Sequence, residues 1–100
     1  MQIKFRTKKL EKQYLKNTEA IKAYGSKVAK KYILRIGILK SAKCFDDLYD
    51  IPSLDFHPLT GNRKGQFAIK LTGFYRLIIT NDGEFFDIVK IEEVSGHYGD

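Results

Sequence analysis

The stretch Gln66-Phe67-Ala68-Ile69-Lys70-Leu71-Thr72-Gly73-Phe74-Tyr75-Arg76-Leu77-Ile78-Ile79-Thr80-Asn81-Asp82-Gly83 decides the fold. Phe67, Ile69 and Leu71 share one face of a strand over Gln66 to Thr72, and Gly73 breaks the run. Tyr75, Leu77 and Ile79 then resume the same period of two up to Thr80. Asn81-Asp82-Gly83 is a hairpin signal, because Asn, Asp and Gly accept the left-handed backbone that tight turns need. It returns the chain into a third strand over Phe85 to Val94, which makes an antiparallel meander. Upstream, Leu54 to Leu59 reads as a short extended segment around His57-Pro58. Phe45 to Ser53 reads as irregular, with Pro52 barring a continuing helix.

The first half of the chain has a different period. Gln2 to Arg6 alternates through Ile3 and Phe5, enough for a short strand that joins the sheet as an edge. After Thr7, a candidate N-cap, the residues Leu10, Tyr14, Leu15, Ala20, Ile21 and Tyr24 recur mainly at helical spacing and predict one amphipathic helix, stopped by Gly25. Ser26 is the expected cap of a second helix, whose apolar stripe is Val28, Ala29, Tyr32, Ile33, Ile36 and Leu39. Gly37 costs about 1 kcal/mol inside such a helix, so it marks either close packing or an early end. The fold class is therefore α+β: two antiparallel N-terminal helices packed on a twisted, mainly antiparallel sheet of four to five strands.

The 100 residues, 43% hydrophobic and 30% charged, suffice for one compact domain over 1–100, and no linker or repeat divides them. Cys44 has no internal partner and points to a reducing, cytoplasmic setting. Apolar runs reach three or four residues, against the roughly 20 of a membrane-spanning helix. The net charge of +6 conceals a step. Residues 1–43 hold thirteen Lys and Arg against Glu11 and Glu19, a net of +11, whereas residues 44–100 carry a net of −5. A helical face so cationic, with Lys27, Lys30, Lys31 and Arg35 on the second helix, fits either a polyanionic partner or a solvated surface.

His57 and His97 lie forty residues apart and Cys44 is isolated, so neither zinc-ligand spacing nor any other cofactor motif is present. Gly61-Asn62-Arg63-Lys64-Gly65 lacks the spacing and the Ser/Thr of a phosphate loop, and no nucleophile elbow occurs. What remains is a polar set in the strand-rich half: His57, Arg63, Lys64, Arg76, His97 and Tyr98. Metal-free cleavage of RNA needs a base for the 2′-hydroxyl, a cation for the pentavalent phosphate and an acid for the departing 5′-oxygen, and these side chains suit those tasks. Arg76 interrupts an apolar strand on the face opposite Tyr75, Leu77 and Ile79. A buried guanidinium needs compensation, so it either pairs with Asp87 or Glu92 across the sheet or faces an open site. For His57, beside Pro58, the sequence pattern alone favours an ordinary loop histidine over a catalytic one.

Three segments occur together in one order: Phe56-His57-Pro58-Leu59-Thr60-Gly61-Asn62-Arg63-Lys64-Gly65-Gln66-Phe67-Ala68-Ile69, Leu71-Thr72-Gly73-Phe74-Tyr75-Arg76-Leu77-Ile78, and Ile91-Glu92-Glu93-Val94-Ser95-Gly96-His97-Tyr98. In these the chain resembles the HigB-type killer proteins of the RelE/ParE toxin superfamily. The resemblance implies a RelE-like fold and a bacterial cytoplasmic toxin that enters the ribosomal A site, against small-subunit rRNA, and cuts translated mRNA without a metal. It also implies a HigA-like helix-turn-helix antitoxin as partner, with operator DNA contacted only through that antitoxin. By position, His57 corresponds to the family's His before Pro-Leu, Arg76 to its phosphate-binding strand Arg, and His97 with Tyr98 to its C-terminal Tyr/His pair. The chain departs from the family in carrying Thr60 where a catalytic Lys is common, and in the order His97-Tyr98. Arg63 or Lys64 is then the expected substitute cation, while Lys27, Lys30, Lys31 and Arg35 are expected to dock on rRNA phosphates. The other readings are a ParE-type poison of DNA gyrase without nuclease activity, and a non-enzymatic basic nucleic-acid-binding module.

Overall fold

A computed structural model describes residues 1–96 of the chain. Strand β1 (Gln2–Phe5) leads into helices α1 (Lys8–Leu15), α2 (Asn17–Tyr24) and α3 (Ser26–Ser41). Two 3-10 turns, Phe45–Asp50 and Pro52–Leu54, connect these to β2 (His57–Pro58), and a third, Gly61–Arg63, precedes β3 (Gln66–Lys70), β4 (Arg76–Asn81) and β5 (Ile88–Ser95). The sheet order is β1-β5-β4-β3-β2, with β1 parallel to β5 and every other pair antiparallel. The expected meander is therefore present, and the N-terminal strand joins it as an edge.

The helices cover one face. Leu10, Ala20, Val28, Ala29, Tyr32, Ile36 and Leu39 from the helices meet Ile69, Leu71, Leu77, Ile79, Val89 and Ile91 from the sheet in a single apolar core. Phe45, Leu48, Leu54 and Phe56 close one end of it, with the Phe56 and Phe67 rings stacked at 5.2 Å. The hydroxyl of Tyr32 donates to the Leu10 carbonyl at 2.7 Å, and that of Tyr24 donates to Gln13, a buried polar residue of α1. These bonds satisfy the polar atoms that the helix packing takes out of water.

Four expectations need correction. The first helix is two, because Lys16 adopts an extended backbone (φ −123°, ψ 107°) between α1 and α2. Past Tyr14 a continuous helix would have turned Asn17 or Thr18 toward the core, and the break rephases the chain so that Ala20 is buried there instead. Ser26 is the first residue of α3, whose N-cap is Gly25 at φ 83°, so the serine caps nothing. Gly37 marks neither close packing nor an end, since α3 continues to Ser41 and a Cβ at Gly37 would meet no atom within 4 Å. The third meander strand begins at Ile88 rather than at Phe85. Asn81 closes on Gly83 through both of its amide groups, and the chain then loops through Phe86, at φ 56°, before it pairs.

Candidate active site

In an antiparallel sheet, directly paired residues point to the same side. His57 pairs with Ala68, Ala68 with Ile78, and Ile78 with Glu93, so these four form one cross-strand row on the face away from the helices. The next row is Lys70, Arg76 and Ser95. At about 4.8 Å per strand and 3.4 Å per residue, the Cα atoms of His57 and Arg76 lie about 12 Å apart, within joint reach of two long side chains. Ala68 and Ile78, both buried, form an apolar floor between them.

Each polar residue is held by a local device. Asp55 adopts the left-handed conformation (φ 45°, ψ 46°) at the end of the Pro52–Leu54 turn, and its carbonyl lies 2.8 Å from His57 Nδ1. A carbonyl only accepts, so Nδ1 carries the proton and Nε2 is the basic nitrogen of the neutral ring. Arg76 is 9% exposed, and its Nη1 donates to the carbonyls of Thr72 (2.7 Å), Tyr75 (3.1 Å) and Gly73 (3.2 Å). The turn between β3 and β4 thus wraps the guanidinium, and carbonyl dipoles offset part of its desolvation. The carboxylates considered for it lie elsewhere. Asp87 precedes β5 at the far end of the pairing, and Glu92 is engaged by Arg6 (3.6 Å), Lys90 (4.0 Å) and the Thr80 hydroxyl (2.7 Å).

Arg63 ends the turn before β3 and reaches across the floor. Its Nη1 donates to Gln66 Oε1 at 2.9 Å and its Nη2 lies 2.9 Å from Glu93 Oε1. Lys64 beside it is exposed. Sequence reasoning missed Asp55, Gln66 and Glu93. Glu93 was hidden by a bulge: Ile78 pairs with Glu93 but Ile79 with Ile91, which leaves Glu92 as the extra residue. The available signal was that Ile91 and Val94, three apart, are both apolar, which a regular strand with one buried face cannot accommodate.

The structure thus brings His57, Arg63 and Arg76 to one sheet face. Lys27, Lys30 and Lys31 belong to α3, which packs on the other face. Arg35 is tied down, donating to the carbonyls of Lys70 (3.0 Å) and Ser53 (3.3 Å). His97 and Tyr98 lie outside the described residues. Among the described residues no helix packs on this face; clefts of about 220 and 500 Å³ lie between the helices, and one of about 390 Å³ lies between α1, α2 and the Glu92–Val94 part of β5. Among the described residues no three His, Cys, Asp or Glu side chains gather as a metal site, and no helix is long and apolar enough to cross a membrane.

Comparison with known proteins agrees with this architecture. The family model for the RelE-like toxin of the type II toxin-antitoxin system HigB matches residues 3–90. No curated protein sequence matches. Among solved structures, a YoeB/ParE toxin from Agrobacterium tumefaciens superposes with a TM-score of 0.59 at 17% identity, covering 98% of this chain and 100% of that one. The YoeB-YefM complex from Staphylococcus aureus gives 0.61 at 21%, and the YoeB dimer from the same organism 0.57 at 20%, each covering 98% of both chains. At such identities these likenesses establish the fold alone.

Proposed function

The chain belongs to the RelE-like family of HigB toxins of type II toxin-antitoxin systems, and from that premise we propose that it is a metal-independent endoribonuclease that cuts mRNA on the ribosome. One observation carries this reading: His57, Arg63 and Arg76 share the face of the sheet away from the helices, around the apolar floor of Ala68 and Ile78. In the proposed reaction His57 Nε2 moves a proton, taking it from the 2′-hydroxyl or returning it to the 5′-oxygen. Arg76 and Arg63 stabilise the charge that gathers on the phosphate, and His97 and Tyr98 complete the set. The products are a 2′,3′-cyclic phosphate and a 5′-hydroxyl end. A helix-turn-helix antitoxin of the HigA kind neutralises the toxin; the similar S. aureus protein is known in complex with YefM.

The test is an incubation of the purified chain with ribosomes engaged on a defined mRNA, followed by analysis of the RNA ends. New 5′-hydroxyl ends within the translated region, dependent on the chain, are expected. An intact message, together with inhibition of supercoiling by purified gyrase in a parallel assay, would overturn the proposal.

A further inference from the structure

Glu93 has no assigned role, yet its placement is specific. The β-bulge at Ile78/Ile79 adds one residue to β5, and so both Glu92 and Glu93 come to the face away from the helices rather than alternating across the sheet. Glu92 is occupied with Thr80, Arg6 and Lys90, whereas Glu93 meets Arg63 alone among the ion pairs of the described residues. Arg63 arises from the loop Gly61–Gly65, whose other residues are all exposed, and loops of that kind do not fix a long side chain by packing. Here two bonds fix it instead: Gln66 takes Nη1 and Glu93 takes Nη2, each at 2.9 Å. The side chains of the pair are 42% and 39% exposed, a degree at which ion pairs contribute little to stability. Their consequence is therefore orientation of the guanidinium, whose remaining N–H donors stay available to an incoming anion.

We propose that Glu93 is a positioning residue that holds the Arg63 guanidinium above the Ala68–Ile78 floor, in place to meet the scissile phosphate of RNA. This role rests on the nuclease reading above. It makes a prediction with two opposite signs. Removing the Glu93 charge leaves the face more cationic and so tightens general RNA binding, while it frees Arg63 and so slows cutting.

The experiment compares the full-length wild type with Glu93→Gln, Arg63→Ala and the double variant, in ribosome-dependent cutting and in ¹⁵N spectra of the Arg63 side chain. For Glu93→Gln the expected result is a kcat lowered about tenfold or more with KM unchanged or lower. The double variant should cut no more slowly than Arg63→Ala. The Arg63 Nη signals, separated in the wild type by restricted rotation, should merge in Glu93→Gln. A wild-type kcat in Glu93→Gln, or Nη signals that do not change, would overturn the role. A wild type that cuts no RNA would overturn the nuclease reading and with it the role, and the Nη signals distinguish that outcome from a failure of positioning itself.

Discussion

Arg76 has two duties that pull its chemistry in one direction. Its Nη1 group gathers the carbonyls of Thr72, Gly73 and Tyr75, which fixes the turn between β3 and β4 and also the plane of the guanidinium. Lysine keeps the charge but not the planar fork, so Arg76→Lys should lose both the turn geometry and the oriented cation. The expected outcome is a loss of cutting of about 10²-fold or more in ribosome assays, with a stability loss of about 1–3 kcal/mol in urea titrations from the abandoned carbonyls. Retention of full cutting by Arg76→Lys would remove oriented contact from its role. Sequence alone exposed this residue, because a charged side chain between Phe74-Tyr75 and Leu77-Ile78-Ile79 demands an explanation. It offered His57 as a candidate by chemistry and gave it a role only through the resemblance, since nothing in the pattern marks Asp55 as the left-handed residue that fixes the ring's tautomer. Glu93 stayed hidden because side-chain alternation determines which face a residue occupies, and one inserted residue reverses that alternation.

Among the elements, the helices carry the clearest energetic consequences. Gly37 lies exposed in the interior of α3 with open space where a Cβ would sit, so Gly37→Ala should stabilise the protein by about 0.5–1 kcal/mol, measured as a raised urea midpoint at unchanged slope. An unchanged midpoint would mean that the glycine already costs nothing. Burial raises the pKa of Tyr32, and the nearby Tyr24 phenol adds to the effect; burial likewise raises that of Tyr24, partly countered by its bond to Gln13. Both phenols therefore hold their protons more tightly in the folded chain. Their stabilisation is complete below the ordinary tyrosine value of 10.0 and is lost as the pH rises above it. Tyr32→Phe should cost about 1 kcal/mol near neutrality, through the lost bond to the Leu10 carbonyl, and should make the alkaline loss of stability shallower. A variant as steeply destabilised above pH 10 as the wild type would assign that loss to other groups. The sequence showed the stripe of α3 correctly because one face of a regular helix carries it. The break at Lys16 was hidden because Leu10, Tyr14, Ala20, Ile21 and Tyr24 fit one stripe of a continuous helix, and only Asn17, polar at the centre of that stripe, stands against it.

Across the whole molecule, the charge step in the sequence becomes a division between two faces. The +11 half supplies β1 and the helices on one side of the sheet, while the −5 half supplies most of the sheet, whose other side gathers Arg63 and Arg76. Docking and cutting are then separable in the proposed mechanism: the helix lysines meet rRNA phosphates and the sheet residues meet the message. Reversal of Lys22, Lys27, Lys30 and Lys31, all on α2 and α3, should leave the fold intact. It should also flatten the plot of log affinity against log salt for ribosome binding, by up to roughly 0.7–0.9 for each rRNA phosphate that a lysine no longer neutralises. An unchanged salt slope would make this a merely solvated surface. The central claim, that the sheet face away from the helices cuts mRNA, is tested most directly by mapping mRNA 5′ ends in bacteria after induction of the wild type and of Arg76→Ala. New ends within translated messages in the wild type, absent in a soluble Arg76→Ala chain, are the predicted result, and growth arrest with every message intact would contradict it.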